Sequence, residues 1–200
     1  MKILFATGNE TKAKRFSKGL LERGIEVVTL KDIDKEIDVE ENGSNAIENA
    51  LIKARAYADA VDMPVMAMDD NLYLENVPDE FQPGMYVRRV NGKRLNDEEM
   101  TEHYINLVKK FGDNGKLTCR WVYGMAVIAD GKEYTYTWNK EDFYMVDTPS
   151  DKVDPGYPLN SISVNKKLNK YFTDMTDEDK ASVAEDETDV VEFISNSVRG

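Results

Sequence analysis

Apolar and polar positions alternate along this chain in two periods, and they predict strands and helices in turn. Residues 2–6 (KILFA) form a short apolar run that reads as a buried strand. Thr7-Gly8-Asn9 is turn-forming, and Thr11 to Arg23 reads as a helix with Ala13, Phe16 and Leu20 on one stripe, stopped at Gly24. Ile25 to Leu30 is a second strand, so the chain opens with a βαβ unit. Glu36 to Glu41 is irregular or extended. Ser44 is placed to cap a long helix over about 45–61, helped by Glu48, with Ala46, Ala50, Ala54, Tyr57 and Val61 along one face.

Pro64 precedes a strand, Val65-Met66-Ala67-Met68, that is expected to end at Asp69-Asp70. The spacing of Met100, Tyr104, Leu107 and Phe111 predicts a helix over 97–111. Two long β segments, 117–129 and 132–146, flank Ala129-Asp130-Gly131, where Asp-Gly is a hairpin signal. Residues 147–200 read as loop, a short segment and a helix. There is no repeat and no Pro/Gly linker, so one domain over 1–200 is expected. Its class is α/β with a mixed sheet and a long hairpin.

The 200 residues suffice for a substantial core, and 41% are hydrophobic. No apolar run is long enough to cross a bilayer, and MKILFATGNE lacks the core of a signal peptide. The single cysteine, Cys119, rules out an intrachain disulfide; together these features point to the cytoplasm. The net charge of −12 argues against nucleic acid as a partner, because such affinity comes largely from neutralising phosphates. The acid-rich stretch 174–192 reads as a solvated helix or tail.

Three groups of residues have chemistry to offer. Thr7, Gly8, Asn9 and Lys12 lie between a strand and a helix, where N–H groups and the helix dipole favour an anion. Gly8 permits close approach of the backbone, and Lys12, Lys14 and Arg15 add positive potential. The same residues also suit an ordinary turn; no Walker loop is present. Asp69 and Asp70 at a strand end suit Mg²⁺, a hard cation that takes oxygen ligands, and one of them can accept a proton from water. Glu40-Glu41 is a second acidic pair able to share the metal. Surface charge or a helix cap explains either pair equally well. His103 reads as exposed and structural, and Cys119 as a core or half-buried strand residue. Tyr134, Tyr136, Trp138, Phe143 and Tyr144 read as sheet packing.

The order of these motifs resembles the inosine-triphosphate pyrophosphatase family. FATGNETK (5–12) is similar to its A-T-G-N-x-x-K, and EENGSNAIENALIKA (40–54) to its E-E-x-G-x-x-x-x-E-N-A-x-x-K-A. MDDNLYL (68–74) resembles D-D-S-G-L, and PGMYVRR (83–89) resembles P-G-x-Y-S-A-R. Gly156-Tyr157-Pro158 and MTDEDKAS (175–182) are similar to later segments, so the resemblance spans about residues 3–182.

The resemblance implies a long mixed sheet in two lobes flanked by helices, with a nucleotide cleft between them, and a homodimer. It also implies Mg²⁺-dependent hydrolysis of a nucleoside triphosphate to a monophosphate and pyrophosphate. Thr7, Gly8, Asn9 and Lys12 would hold phosphates. Glu40, Asp69 and Asp70 would hold the metal, with Asp70 as proton acceptor. Lys53, Asn71, Arg89, Tyr157 and Lys180 would complete the substrate site.

Some positions depart from the pattern. Asn71 and Leu72 replace a serine and a glycine, Pro155-Gly156-Tyr157-Pro158 replaces F-G-Y-D, and Ala184-Glu185-Asp186 replaces S-H-R. The resemblance implies that the last two of these segments serve base recognition, so the phosphate and metal end is better kept than the base end. The alternatives are a nucleotide-binding or structural protein that retains the fold without turnover, and an unrelated α/β enzyme acting on another small anion.

Overall fold

The computed structural model describes every residue except Asp34 and Glu36, together with all side chains but those of Glu10, Thr11 and Ala13. The expectations for Ala13 and Glu36 thus lie outside the described residues. Strand β1 (Lys2–Phe5) leads into helix α1 (Glu10–Arg15) and α2 (Ser17–Leu21). The single helix expected over 11–23 is broken at Phe16, whose side chain is fully buried while its backbone begins α2. Ser17 and Gly19, poor helix formers, follow the break. Then come β2 (Glu26–Thr29), the short α3 (Leu30–Ile33) and α4 (Ala46–Ala58).

Helix α4 is capped one residue later than expected. The Asn45 carboxamide accepts the Glu48 N–H at 3.0 Å, while Ser44 donates both its N–H and its hydroxyl to the Glu48 carboxylate. The helix ends at Ala58, before Val61.

Strand β3 (Val65–Leu74) corrects another expectation. It runs straight through Asp69-Asp70, because Leu72 and Leu74 beyond them are buried and continue the pattern. β4 (Arg89–Val90) and β5 (Lys93–Arg94) form a small hairpin that the sequence reading left out; Asn91 and Gly92 in its turn both take positive φ. Helix α5 (Asp97–Phe111) has the predicted bounds and opens with a reciprocal capping box between Asn96 and Glu99.

β6 (Lys116–Ala129) turns at Asp130-Gly131, where φ is +50° and +71°, into β7 (Lys132–Lys140). The expected 132–146 strand stops at Lys140. Asp142 then accepts from the Asn165 amide at 2.9 Å and its carbonyl takes the Lys166 N–H, so β8 (Phe143–Val146) starts a new pairing. β9 (Ser163–Asn165), β10 (Lys170–Tyr171), α6 (Asp177–Ser182) and α7 (Thr188–Ser197) complete the chain.

Among the described residues eight strands form a mixed sheet in the order β10-β9-β8-β6-β3-β1-β2, with β7 also on β6, while β4 and β5 pair apart from it. β1 is parallel to β2 and β3, whereas β8 is antiparallel to β6 and β9. The chain divides into two compact units, Met1–Asp70 with Tyr123–Trp138 and Asp186–Gly200, and Asn71–Val122 with Asn139–Glu185.

In the first unit, successive residues of β1 and β3 serve two cores. Ile3, Phe5, Met66 and Met68 join Phe16, Leu20 and α7, while Leu4, Ala6, Val65 and Ala67 join Ala50, Ala54 and Tyr57 of α4. Burial on both faces explains why these strands read as continuous apolar runs. The acid-rich stretch 174–192 is solvated along α6, which buries no residue, but its last part enters α7, where Val190 and Val191, with Ile194 beyond, are buried in a stripe that the surrounding acids conceal. Tyr134, Tyr136 and Trp138 pack as half-buried rings against the same core.

The second unit has its own core of Leu72, Leu74, Met100, Tyr104, Leu107, Leu117, Phe143, Met145 and Ile162. Cys119 is buried there, and burial pushes its thiol up to about 12. His103 is half-buried, not exposed as expected; its ring meets the Tyr104 ring edge-on, and burial lowers its pKa.

Candidate active site

The turn after β1 is organised by its own side chains. The Thr7 hydroxyl accepts the Asn9 N–H at 3.1 Å, and the Asn9 carboxamide accepts the Lys12 N–H at 3.2 Å. Asn9 thereby caps α1. Gly8 is exposed, does not need left-handed φ, and among the described residues has nothing within 4 Å of where a Cβ would stand. The space beside this backbone is open. Because α1 has six residues, its dipole contributes less to anion binding than the expected longer helix would.

Lys12 reaches β3 instead of solvent, and its amine forms an ion pair with the Asp70 carboxylate. Asp69, the preceding strand residue, accepts from the Asn49 amide at 3.0 Å. Burial raises the Asp69 pKa, opposed first by the charge of Lys53 and then by the Asn49 hydrogen bond and Lys12. The Asn49 carboxamide oxygen also takes the Gly43 N–H at 2.8 Å. A Cβ at Gly43 would stand 2.7 Å from that oxygen, so glycine is required for this approach. Lys53, one turn along α4, pairs with Glu41 at 3.0 Å. Thr7, Asn9, Lys12, Asn49, Lys53, Asp69 and Asp70 therefore share one unit, on the turn after β1, α1, α4 and β3.

Sequence reasoning misses Asn49, although it stands in the quoted EENGSNAIENALIKA segment, and Glu41, expected with Glu40 as a second acidic pair for the metal, is instead the partner of Lys53. Glu40 is exposed, and among the described residues no three carboxylate, histidine or cysteine groups are gathered as a metal cluster. The donor chemistry nevertheless fits a hard divalent cation, since Glu40, Asp69 and Asp70 offer only carboxylate oxygens.

The remaining candidates belong to the other unit. Asn71 is buried, with its amide 3.3 Å from the Tyr73 hydroxyl, and its carboxamide oxygen has no hydrogen-bond partner among the described residues. Such an orphaned acceptor marks a place for a donor outside the chain. Arg89 lines a cavity of about 610 Å³ with Phe81, Tyr86, His103 and Tyr104. Tyr157 is 48% exposed, and Lys180 is exposed on α6. Arg89, Tyr157 and Lys180 thus stand on separate elements. Glu185 meets Lys140 at 3.7 Å, and the Asp186 carboxylate takes the Thr188 N–H at 2.9 Å, so both acids have partners within the protein.

Comparison with known proteins agrees with the fold. The model of the Ham1 family matches residues 3–187. A dITP/XTP pyrophosphatase of Bacillus subtilis is 29% identical over 181 residues, 90% of this chain and 89% of that protein. One from Thermoanaerobacter pseudethanolicus is 30% identical over 189 residues, covering 92% and 90%. The Ham1 protein of Staphylococcus aureus superposes with a TM-score of 0.75 over 98% of this chain and 99% of its own, at 23% identity. With the family model spanning nearly the whole sequence, this chain belongs to the Ham1 family.

Proposed function

We propose that this chain hydrolyses nucleoside triphosphates to nucleoside monophosphate and pyrophosphate, as the names of its relatives suggest. The observation that carries the reading is the Lys12–Asp70 pair beside the open Gly8 turn. It brings together a phosphate-binding cation and a carboxylate for the attacking water.

In this reading the Thr7-Gly8-Asn9 turn and Lys12 hold the phosphates, with Lys53, Asn71, Arg89, Tyr157 and Lys180 as further substrate contacts. The oxygen of water bonds to the α-phosphorus while the bond from that phosphorus to the bridging oxygen breaks. The water proton passes to the Asp70 carboxylate, and pyrophosphate leaves. A divalent cation such as Mg²⁺, held by Asp70, Asp69 and Glu40, supplies neutralisation of phosphate charge when bound. Asn49 fixes the Asp69 carboxylate from behind, and Lys53 favours its charged form. The same reading takes the protein to be a cytoplasmic homodimer, with neither nucleic acid nor membrane as partner. Among the described residues no helix is long and apolar enough to cross a membrane.

The test is pyrophosphate release from a panel of triphosphates, including dITP and XTP, with and without Mg²⁺. Metal-dependent pyrophosphate is the expected product. Nucleotide binding without turnover would favour the inactive, nucleotide-binding reading, and neither binding nor turnover would remove both.

A further inference from the structure

Within the second unit, Arg88 and Asp97 hold the Gly156 turn at the two peptide groups that flank its Cα. The Arg88 guanidinium donates to Asp97 Oδ1 at 2.6 Å and to the Gly156 carbonyl at 3.1 Å. The other Asp97 oxygen accepts the Gly156 N–H at 2.7 Å. One arginine–carboxylate pair therefore occupies both the donor and the acceptor of a single residue. The turn itself needs glycine, because φ at Gly156 is +83°.

The next residue, Tyr157, is fixed by its own backbone as well. Its N–H goes to the Asp154 carbonyl at 2.9 Å, its carbonyl takes the Asn160 N–H at 3.0 Å, and the Asn160 amide returns to the Asp154 carboxylate at 2.8 Å. Almost half of Tyr157 nevertheless remains exposed. An exposed aromatic ring on an immobilised backbone is suited to stacking on a planar ligand group. The bonds are aimed at a backbone that would otherwise be a free glycine turn. A surface ion pair of this exposure adds little stability, so anchoring is what the arrangement achieves.

We infer that Arg88 and Asp97 are positioning residues that clamp the Gly156–Tyr157 turn and so set how tightly the nucleoside end of the substrate is held. This rests on the triphosphate hydrolysis proposed above. Arg88 acts through the Gly156 peptide, and Tyr157 makes the contact. The proposal accounts for a base end that departs from the family pattern yet is held rigidly: fixation comes from a side-chain clamp outside the motif.

Two measurements on Arg88→Ala, Arg88→Lys and Asp97→Asn test this. The first is hydrogen exchange at the Gly156 and Tyr157 amides, which needs no activity. Exchange should quicken by about tenfold or more in Arg88→Ala, and less in Arg88→Lys, which keeps the charge but loses the fork. The second is steady-state kinetics with dITP and XTP. Arg88→Ala should raise KM by about fivefold or more with kcat within about twofold, the signature of lost binding without lost chemistry. Inhibition by inorganic triphosphate, which has no nucleoside, should be unchanged.

Unchanged amide exchange would overturn the clamp. Faster exchange with unchanged KM would overturn its link to the nucleoside, as would an equal loss of affinity for inorganic triphosphate. A wild-type chain that cleaves no triphosphate would refute the proposed function, while the exchange experiment would still read the clamp.

Discussion

Lys12 and Asp70, 58 residues apart, form an ion pair between the first turn of α1 and the middle of β3, with side chains only 26% and 25% exposed. The pair joins the two motifs that carry phosphate and carboxylate chemistry. Under the proposed function, each partner is also the group that the nucleotide or the metal would engage, and ligand binding would then compete with this pair.

Asp70→Asn tests the carboxylate. The amide is close in shape but is a poor metal ligand and cannot take the water proton. Turnover should fall by about a hundredfold or more, equivalent to about 2.7 kcal/mol in barrier height. Stability should change by no more than about 1 kcal/mol, since a part-exposed pair contributes little. Kinetics alongside a thermal melt would check this; near-normal turnover in the folded variant would remove Asp70 from the mechanism.

Two glycines are expected to respond in opposite ways. At Gly8 a Cβ meets none of the described residues, so Gly8→Ala should leave the melting temperature nearly unchanged. If a phosphate approaches that backbone, the methyl group obstructs it and KM rises. At Gly124 a Cβ would lie 2.5 Å from the Ile47 backbone nitrogen in the first turn of α4. Gly124→Ala should therefore destabilise by about 1–3 kcal/mol and disturb Asn49 behind Asp69. Melting curves and KM for both variants decide, and a Gly8→Ala protein with unaltered KM would count against phosphate contact at the turn.

Asp179 gives a pH prediction with a definite sign. The Lys170 amine, at 2.8 Å and 3.0 Å, and the Thr176 N–H hold its carboxyl at about 2, below its ordinary value of 3.8. Because the folded pKa is the lower one, the stabilisation is present above about 3.8 and is lost as pH falls toward about 2. The start of α6 should loosen in that window. A carboxyl titration by NMR should give a midpoint near 2, and Asp179→Asn should abolish the dependence; a midpoint at the ordinary value would contradict the geometry.

Base selectivity is expected to be modest. Strong discrimination needs buried polar groups that the wrong base leaves unpaired. Pro158 has no N–H to donate, and Glu185 and Asp186 are engaged with Lys140 and the Thr188 N–H. The kcat/KM ratio between inosine triphosphate and ATP should stay below about a hundredfold, near 2.7 kcal/mol. A larger ratio under one Mg²⁺ concentration would reveal a base pocket made by other residues.

Local order was legible in the chain wherever one periodicity dominated. Helix α5 was readable to its ends because a capping box opens it and its apolar spacing is regular. The hairpin at Asp130-Gly131 was readable because its turn needs two positive φ values, which Asp-Gly adopts. The motif order was legible too, and with it the family. Elements whose boundaries depend on distant partners were not. β3 passes through two aspartates because Lys12 and Asn49 neutralise or bond them and Leu72 and Leu74 are buried beyond, and none of this is local.

The sequence by itself thus determined which residue types are present, the α/β alternation and the grouping of candidate residues near Gly8, Glu40 and Asp70. Only the tertiary structure decided their pairings: Lys12 with Asp70, Lys53 with Glu41, Asn49 between Gly43 and Asp69, and Arg88 with Asp97 on the Gly156 turn. The reason is physical. Periodicity records which face of an element avoids water, a property of neighbours in the chain. An ion pair depends on the meeting of side chains tens of residues apart, and each lysine here had several carboxylates available to it in sequence.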